Sequence, residues 1–73
     1  MSNLPRISGK ECIKILMKIG FYLRRQEGSH MIMRKESPFM QVVVPDHSEL
    51  CAGTLRAIIR QIGISVDDFK KLL

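Results

Sequence analysis

Tryptophan is absent from this 73-residue sequence, and the aromatic side chains amount to three phenylalanines and one tyrosine. A core built with so few rings must rest on Ile, Leu, Val and Met. Cysteine is scarce too: Cys12 and Cys51 are the only two, which excludes a disulfide-dense scaffold and reads as two small, reduced residues. A structural zinc site needs about four ligands at close spacing. Two cysteines plus His30 and His47, with no C-x-x-C or H-x-x-x-H pattern, do not supply one, so no metal or other cofactor is expected. Nor does any apolar run approach the roughly 18 residues of a membrane span, and Met1 to Arg6 lacks the apolar stretch of a signal peptide. The expectation is a cytoplasmic protein with no membrane partner. With no repeat, linker or low-complexity segment, residues 1–73 read as a single domain. A domain of this size has a thin core, so any chemistry is expected on an open face rather than in a deep cleft.

Charge is what the chain does have. It carries 12 basic and seven acidic residues, a net +5. The excess is uneven. Residues 1–44 hold eight basic side chains against three acidic ones, whereas residues 45–73 are balanced at four each. A basic field confined to the N-terminal part of a fold suits a phosphate backbone or an acidic protein partner.

The periodicity gives an order of elements. Ser8-Gly9-Lys10-Glu11 has the form of a capping box. It opens a helix of about ten residues with Cys12, Ile15, Leu16 and Ile19 on one stripe. Gly20 supplies the left-handed stop. Ile13 and Met17 widen the apolar surface, as extra core or as a partner contact. Phe21 to Gln26, His30 to Lys35 and Phe39 to Val44 read as three strands. Glu27-Gly28-Ser29 and Glu36-Ser37-Pro38 form the turns, and Pro45 ends the third strand. Turns this short imply antiparallel hairpins. Leu55, Ile58, Ile59 and Ile62 mark a second helix over 53–62, stopped by Gly63. Ser65 caps a last turn or two carrying Phe69, Leu72 and Leu73. Three short strands need a cover on one face, and the amphipathic helices provide it. The predicted fold is therefore α+β: an α-β-β-β-α two-layer sandwich, a three-stranded antiparallel sheet with helices on one face.

Five blocks occur in order along nearly the whole chain: Leu4-Pro5-x-x-Ser8-Gly9-Lys10-Glu11, Gly20-Phe21, Gly28-Ser29-His30, Val44-Pro45-x-His47 and Gly53-Thr54-Leu55. Together they resemble the HicA family of toxins. The resemblance implies a fold like a double-stranded-RNA-binding domain. It also implies endoribonuclease action on mRNA that blocks translation, and a HicB antitoxin that binds the toxin and masks its active residue. The family's essential histidine falls on His30. One departure is Met17, at a helix position usually polar in the family, which bears on the partner surface and not on the fold.

Chemistry fits these residue types. RNA cleavage through the ribose 2′-OH needs a general base and a general acid, and histidine suits either role because its ordinary pKa is about 6.5. Positive side chains stabilise the charge that builds on the phosphate. Strand alternation puts His30, Ile32 and Arg34 on one face and Met31, Met33 and Lys35 on the other. The methionines are expected to face the helices, leaving His30 open; the reverse assignment would bury Ile32. Alone, Gly-Ser-His also fits a turn histidine held by local hydrogen bonds. Gly28 lets a phosphate approach the backbone, while Ser29 either positions that phosphate or caps the turn. His47 is either the missing acid or a loop histidine bound to backbone groups. Lys10, Lys14, Arg24, Arg25, Arg34 and Lys35 are candidate RNA-backbone contacts, with Arg56 and Arg60 a weaker patch. Tyr22 and Phe39 are expected mostly in the core, with base stacking as their alternative role. Two readings compete with the ribonuclease toxin. One is a non-catalytic RNA-binding domain of the same shape. The other is an interaction module whose basic face meets an acidic protein.

Overall fold

The computed structural model describes residues 3–73. Its elements follow the expected order: α1 (Gly9–Lys18), β1 (Tyr22–Glu27), β2 (His30–Glu36), β3 (Phe39–Pro45), α2 (Ala52–Ile62) and a short α3 (Val66–Lys71). The strands form one antiparallel sheet in the order β1-β2-β3.

Local chemistry sets the limits of α1. The Ser8 hydroxyl accepts from the Glu11 amide at 3.0 Å, and the Glu11 carboxylate accepts from the Ser8 amide at 2.8 Å. These reciprocal bonds satisfy two donors that a helix start leaves orphaned. At the other end the Phe21 amide donates to the Leu16 carbonyl and the Gly20 amide to Met17, with Gly20 at φ +99°. This is a Schellman ending, in which glycine occupies the left-handed position and the next residue turns into the core. Phe21 is accordingly buried just ahead of β1 instead of being its first residue. The third strand ends at Pro45 as expected, with the proline itself as its last residue. An edge strand tolerates proline because no neighbour requires its missing amide.

The core fills the space between one sheet face and the helices. Met31 and Met33 from β2, Val42 and Val44 from β3, Cys12, Ile15 and Leu16 from α1, and Leu55, Ile58, Ile59 and Ile62 from α2 are all buried. Phe69 of α3 is buried completely and closes one end. Ile13 joins the core, whereas Met17 is 48% exposed and stands outside it. Both cysteines are free. Burial raises the Cys12 thiol to about 11, because an apolar surround disfavours the thiolate. No described helix is long and apolar enough to cross a membrane.

Tyr22 and Phe39 depart from expectation. At 41% and 62% exposure they stand outside the core. A bulge explains Tyr22. The register slips between Leu23 and Arg25, and the extra residue, Arg24, resets the two-residue alternation. Tyr22, Arg25 and Glu27 therefore share one face, opposite Arg34, Ile32 and His30 in turn. Phe39 lies on that same face, opposite Glu36.

Candidate active site

Residues paired directly across an antiparallel ladder lie on one side of the sheet. The uncovered face is thus assembled from Tyr22, Arg25 and Glu27 of β1, His30, Ile32, Arg34 and Glu36 of β2, and Phe39, Gln41, Val43 and Pro45 of β3. His30 is the first residue of β2, exposed, with Glu27 on one side and Pro45 on the other. Its placement follows from the local sequence. Gly28, at φ +59°, makes the tight β1–β2 turn, and the pleat then aims alternate side chains away from Met31 and Met33.

The turn is stitched to the segment after β3. The Asp46 amide donates to the Ser29 carbonyl at 2.7 Å. The Gln26 side-chain amide donates to the Gly28 carbonyl at 3.0 Å and to an Asp46 carboxylate oxygen at 3.3 Å. On the far side, the first turn of α1 presses against the end of β3. The Gly9 amide donates to the His47 carbonyl at 2.9 Å, and a Cβ on Gly9 would stand 2.0 Å from the Pro45 carbonyl oxygen. Only glycine permits that approach. The block Ser8-Gly9 and the block Val44-Pro45-x-His47 are therefore one contact, which fixes the rim beside His30.

This geometry divides the residues singled out by sequence. Gly28, Ser29, His30 and the His47 backbone come together at one end of the sheet, and the His47 side chain is exposed there. Arg25 and Arg34 share the open face with His30. Arg25 is ion-paired to Glu27 at 2.8 Å, an exposed pair of small energetic weight. Arg34 donates twice to Gln41, at 3.1 and 2.8 Å, and its guanidinium sits over the Phe39 ring, 5.4 Å from the centroid. Arg24 occupies the bulge and is exposed. Lys35 does not join the face. It pairs with Met40 on the helix side, and its ammonium lies 5.9 Å from the Phe21 ring centroid. Lys10 and Lys14 belong to α1, in the other layer. Lys14 lines a groove with Glu11, Ile15, Lys18 and the C-terminal leucines, where the Lys18 ammonium donates to the Leu72 carbonyl at 2.6 Å. Arg56 and Arg60 are exposed on α2. Among the described residues, no three His, Cys, Asp or Glu side chains are grouped to hold a metal ion.

Reading the sequence missed Gln26, Asp46 and Gln41. Asp46 fills the variable position of the Val-Pro-x-His block, the one signal that pointed near it. Gln26 and Gln41 carry no signal in sequence, since their roles depend on the register.

Residues 9–64 match the family described as the HicA toxin of bacterial toxin–antitoxin systems. The chain belongs to that family. The match runs from the Gly9 contact to the residue after the α2 stop, and so includes every element of the sheet and the whole His30 end. This HicA-family chain has a toxin role and, with it, an antitoxin partnership. No curated protein matches the chain.

Proposed function

We propose that this HicA-family toxin is an endoribonuclease that cleaves mRNA without a metal ion and so blocks translation, with His30 as its catalytic acid or base. The observation that carries the reading is the position of His30. It is exposed on the uncovered face, at the mouth of a glycine turn, within a frame held by Gln26, Asp46 and Gly9. Gly28 carries no Cβ and the space where one would project is open, so a phosphate can lie directly against its backbone. The imidazole is then placed to take the 2′-OH proton or to protonate the departing 5′-oxygen. His47, at the same end, is the candidate for the complementary role, and Ser29 for holding the phosphate. Arg25 and Arg34 lie along the path of the RNA backbone. Lys10, Lys14, Arg24 and Lys35 contribute to the basic field that draws RNA in. The partner is an acidic HicB-like antitoxin that covers His30, and the setting is the cytoplasm. Residues 1–73 act as one domain.

The test is cleavage of a defined RNA in EDTA by the purified protein and by His30→Ala, the variant shown to be folded by circular dichroism. Loss of roughly 10²–10⁴ in rate is expected. Undiminished cleavage by the variant removes His30 from the mechanism. RNA bound but never cut by the wild type would instead establish the non-catalytic RNA-binding reading.

A further inference from the structure

The end of the open face farthest from His30 holds groups that neither the core nor the cleavage step uses. Phe39 is 62% exposed, more than any other large apolar residue described. The Arg34 guanidinium covers its ring and is fixed in plane by two bonds to Gln41. Beside Arg34, Tyr22 is 41% exposed, and its hydroxyl donates to the Glu36 carboxylate. A rigid ring and a tethered guanidinium, both flat and both presented to water, form a surface on which π-faces stack.

We propose that Phe39 and Arg34 form a stacking shelf for one unpaired nucleobase of the RNA strand whose scissile phosphate lies at His30. The proposal rests on the endoribonuclease reading and adds a second subsite to it. Three observations select a single-stranded nucleic acid as the occupant. The shelf shares the open face with His30: Arg34 stands four residues along β2, about 13 Å at the usual rise, and Phe39 reaches it from β3, where it pairs opposite Glu36, six residues along and about 20 Å away. Such a span corresponds to roughly four to six nucleotides at the stacked spacing of 3.4 Å, and fewer when the strand is stretched. Between the two ends the floor is apolar, with Ile32 half-buried and Val43 46% exposed, while the Arg25 guanidinium, ion-paired to Glu27 and open to solvent, stands at the side. Finally, Glu36 places a carboxylate beside the shelf. It repels a phosphate there, so the strand presents a base to Phe39 and keeps its backbone toward Arg25. A base inside a duplex has both faces occupied and cannot use the shelf, which makes unpaired RNA the substrate class. Stacking tolerates any base, so the shelf sets the strand's register more than its sequence.

The experiment uses the full-length protein carrying His30→Ala, so that bound RNA stays intact. A short single-stranded RNA with 2-aminopurine walked along successive positions is titrated with this protein, and the wild type locates the cleaved bond. The expected result is quenching at one position, a few nucleotides from that bond. Adding Phe39→Ala should remove that quenching and weaken binding about tenfold, Phe39→Tyr should restore both, and duplex RNA should be indifferent to either change. Unchanged affinity and quenching in Phe39→Ala, shown to be folded by circular dichroism, would overturn the shelf and leave RNA binding at His30 intact. Loss of antitoxin capture by Phe39→Ala with RNA binding unaffected would overturn it too, assigning the patch to a protein interface. Absence of any cleavage by the wild type would overturn the endoribonuclease reading itself, and with it the shelf's relation to a scissile phosphate.

Discussion

β2 presents opposite surfaces on alternate residues, and the two surfaces obey different rules. On the helix side, Met31 and Met33 are 2% and 0% exposed and are locked among α1 and α2 side chains. On the open side, His30 is exposed and Ile32 and Arg34 are half-buried. Packing dictates the first set: any residue there must be apolar and of about the right volume. Nothing in the packing requires the second set. Val43 and Phe39 on β3 and Tyr22 on β1 expose apolar surface that folding alone would replace with polar residues. Identity on the helix side therefore reports on stability, and identity on the open side on binding and chemistry.

The sharpest way to break this comparison is to empty a helix-side position. Met33→Ala deletes a fully buried side chain and is expected to cost about 2–5 kcal/mol. A single-core domain of this size has roughly 3–5 kcal/mol in total. The variant should be largely unfolded in urea-free buffer by circular dichroism, whereas Met33→Leu should stay folded with a loss under about 1.5 kcal/mol. A cooperative urea transition for Met33→Ala at the wild-type midpoint would show that the helix side is not the structural one.

Gly9→Ala lies between the two sides, because α1 meets the rim of the open face there. The added Cβ stands 2.0 Å from the Pro45 carbonyl oxygen, so helix or strand must move. Overpacking of this kind costs about 1–3 kcal/mol. The displaced carbonyl belongs to the residue opposite His30, so RNA cleavage should fall in the variant even at temperatures where it is fully folded. Cleavage that tracks only the folded fraction would separate the rim from the chemistry.

How much of this was legible in the sequence follows the same division. Helix-side residues announce themselves by periodicity: the α1 and α2 stripes, and Met31 and Met33 in alternation, gave the layers and the direction of His30. Reading failed where one residue resets the pattern. The Arg24 bulge carries no sequence mark, yet it sets which β1 side chains, Tyr22 among them, share the open face, whereas Lys35 falls on the helix side with Met31 and Met33, as strand alternation predicts. Phe39 was expected inside because aromatic residues are usually core. Only the register shows that its pleat points outward, opposite Glu36. Gln26, Asp46 and Gln41 are polar residues of ordinary type whose roles arise from partners distant in sequence. The glycines were legible as turns at Gly20 and Gly28. At Gly9 the requirement is a close approach from β3, which no local pattern reveals.

The smallest effect should come from the side-chain cap of α1, whose two bonds join Ser8 and Glu11 to each other and to no strand. Ser8→Ala removes the hydroxyl that accepts from the Glu11 amide and should cost about 1 kcal/mol. For a domain of this size that lowers Tm by about 4–8 °C, read by thermal circular dichroism, with cleavage per folded molecule unchanged. Acid should reproduce part of the effect through the other half of the cap. Hydrogen bonds from the Ser8 backbone and side chain hold the Glu11 carboxyl below its ordinary value of 4.5. A carboxylate depressed in the folded state contributes stability that is present above the unfolded pKa and is lost as pH falls through the folded one. Between pH 7 and 5.5 the Glu11 contribution should be flat, and it should decline only below about pH 4.5. Glu11→Gln should abolish that acid limb while leaving the Ser8 hydroxyl bond in place. An acid limb identical in Glu11→Gln and wild type would show that the low-pH loss arises elsewhere in the fold.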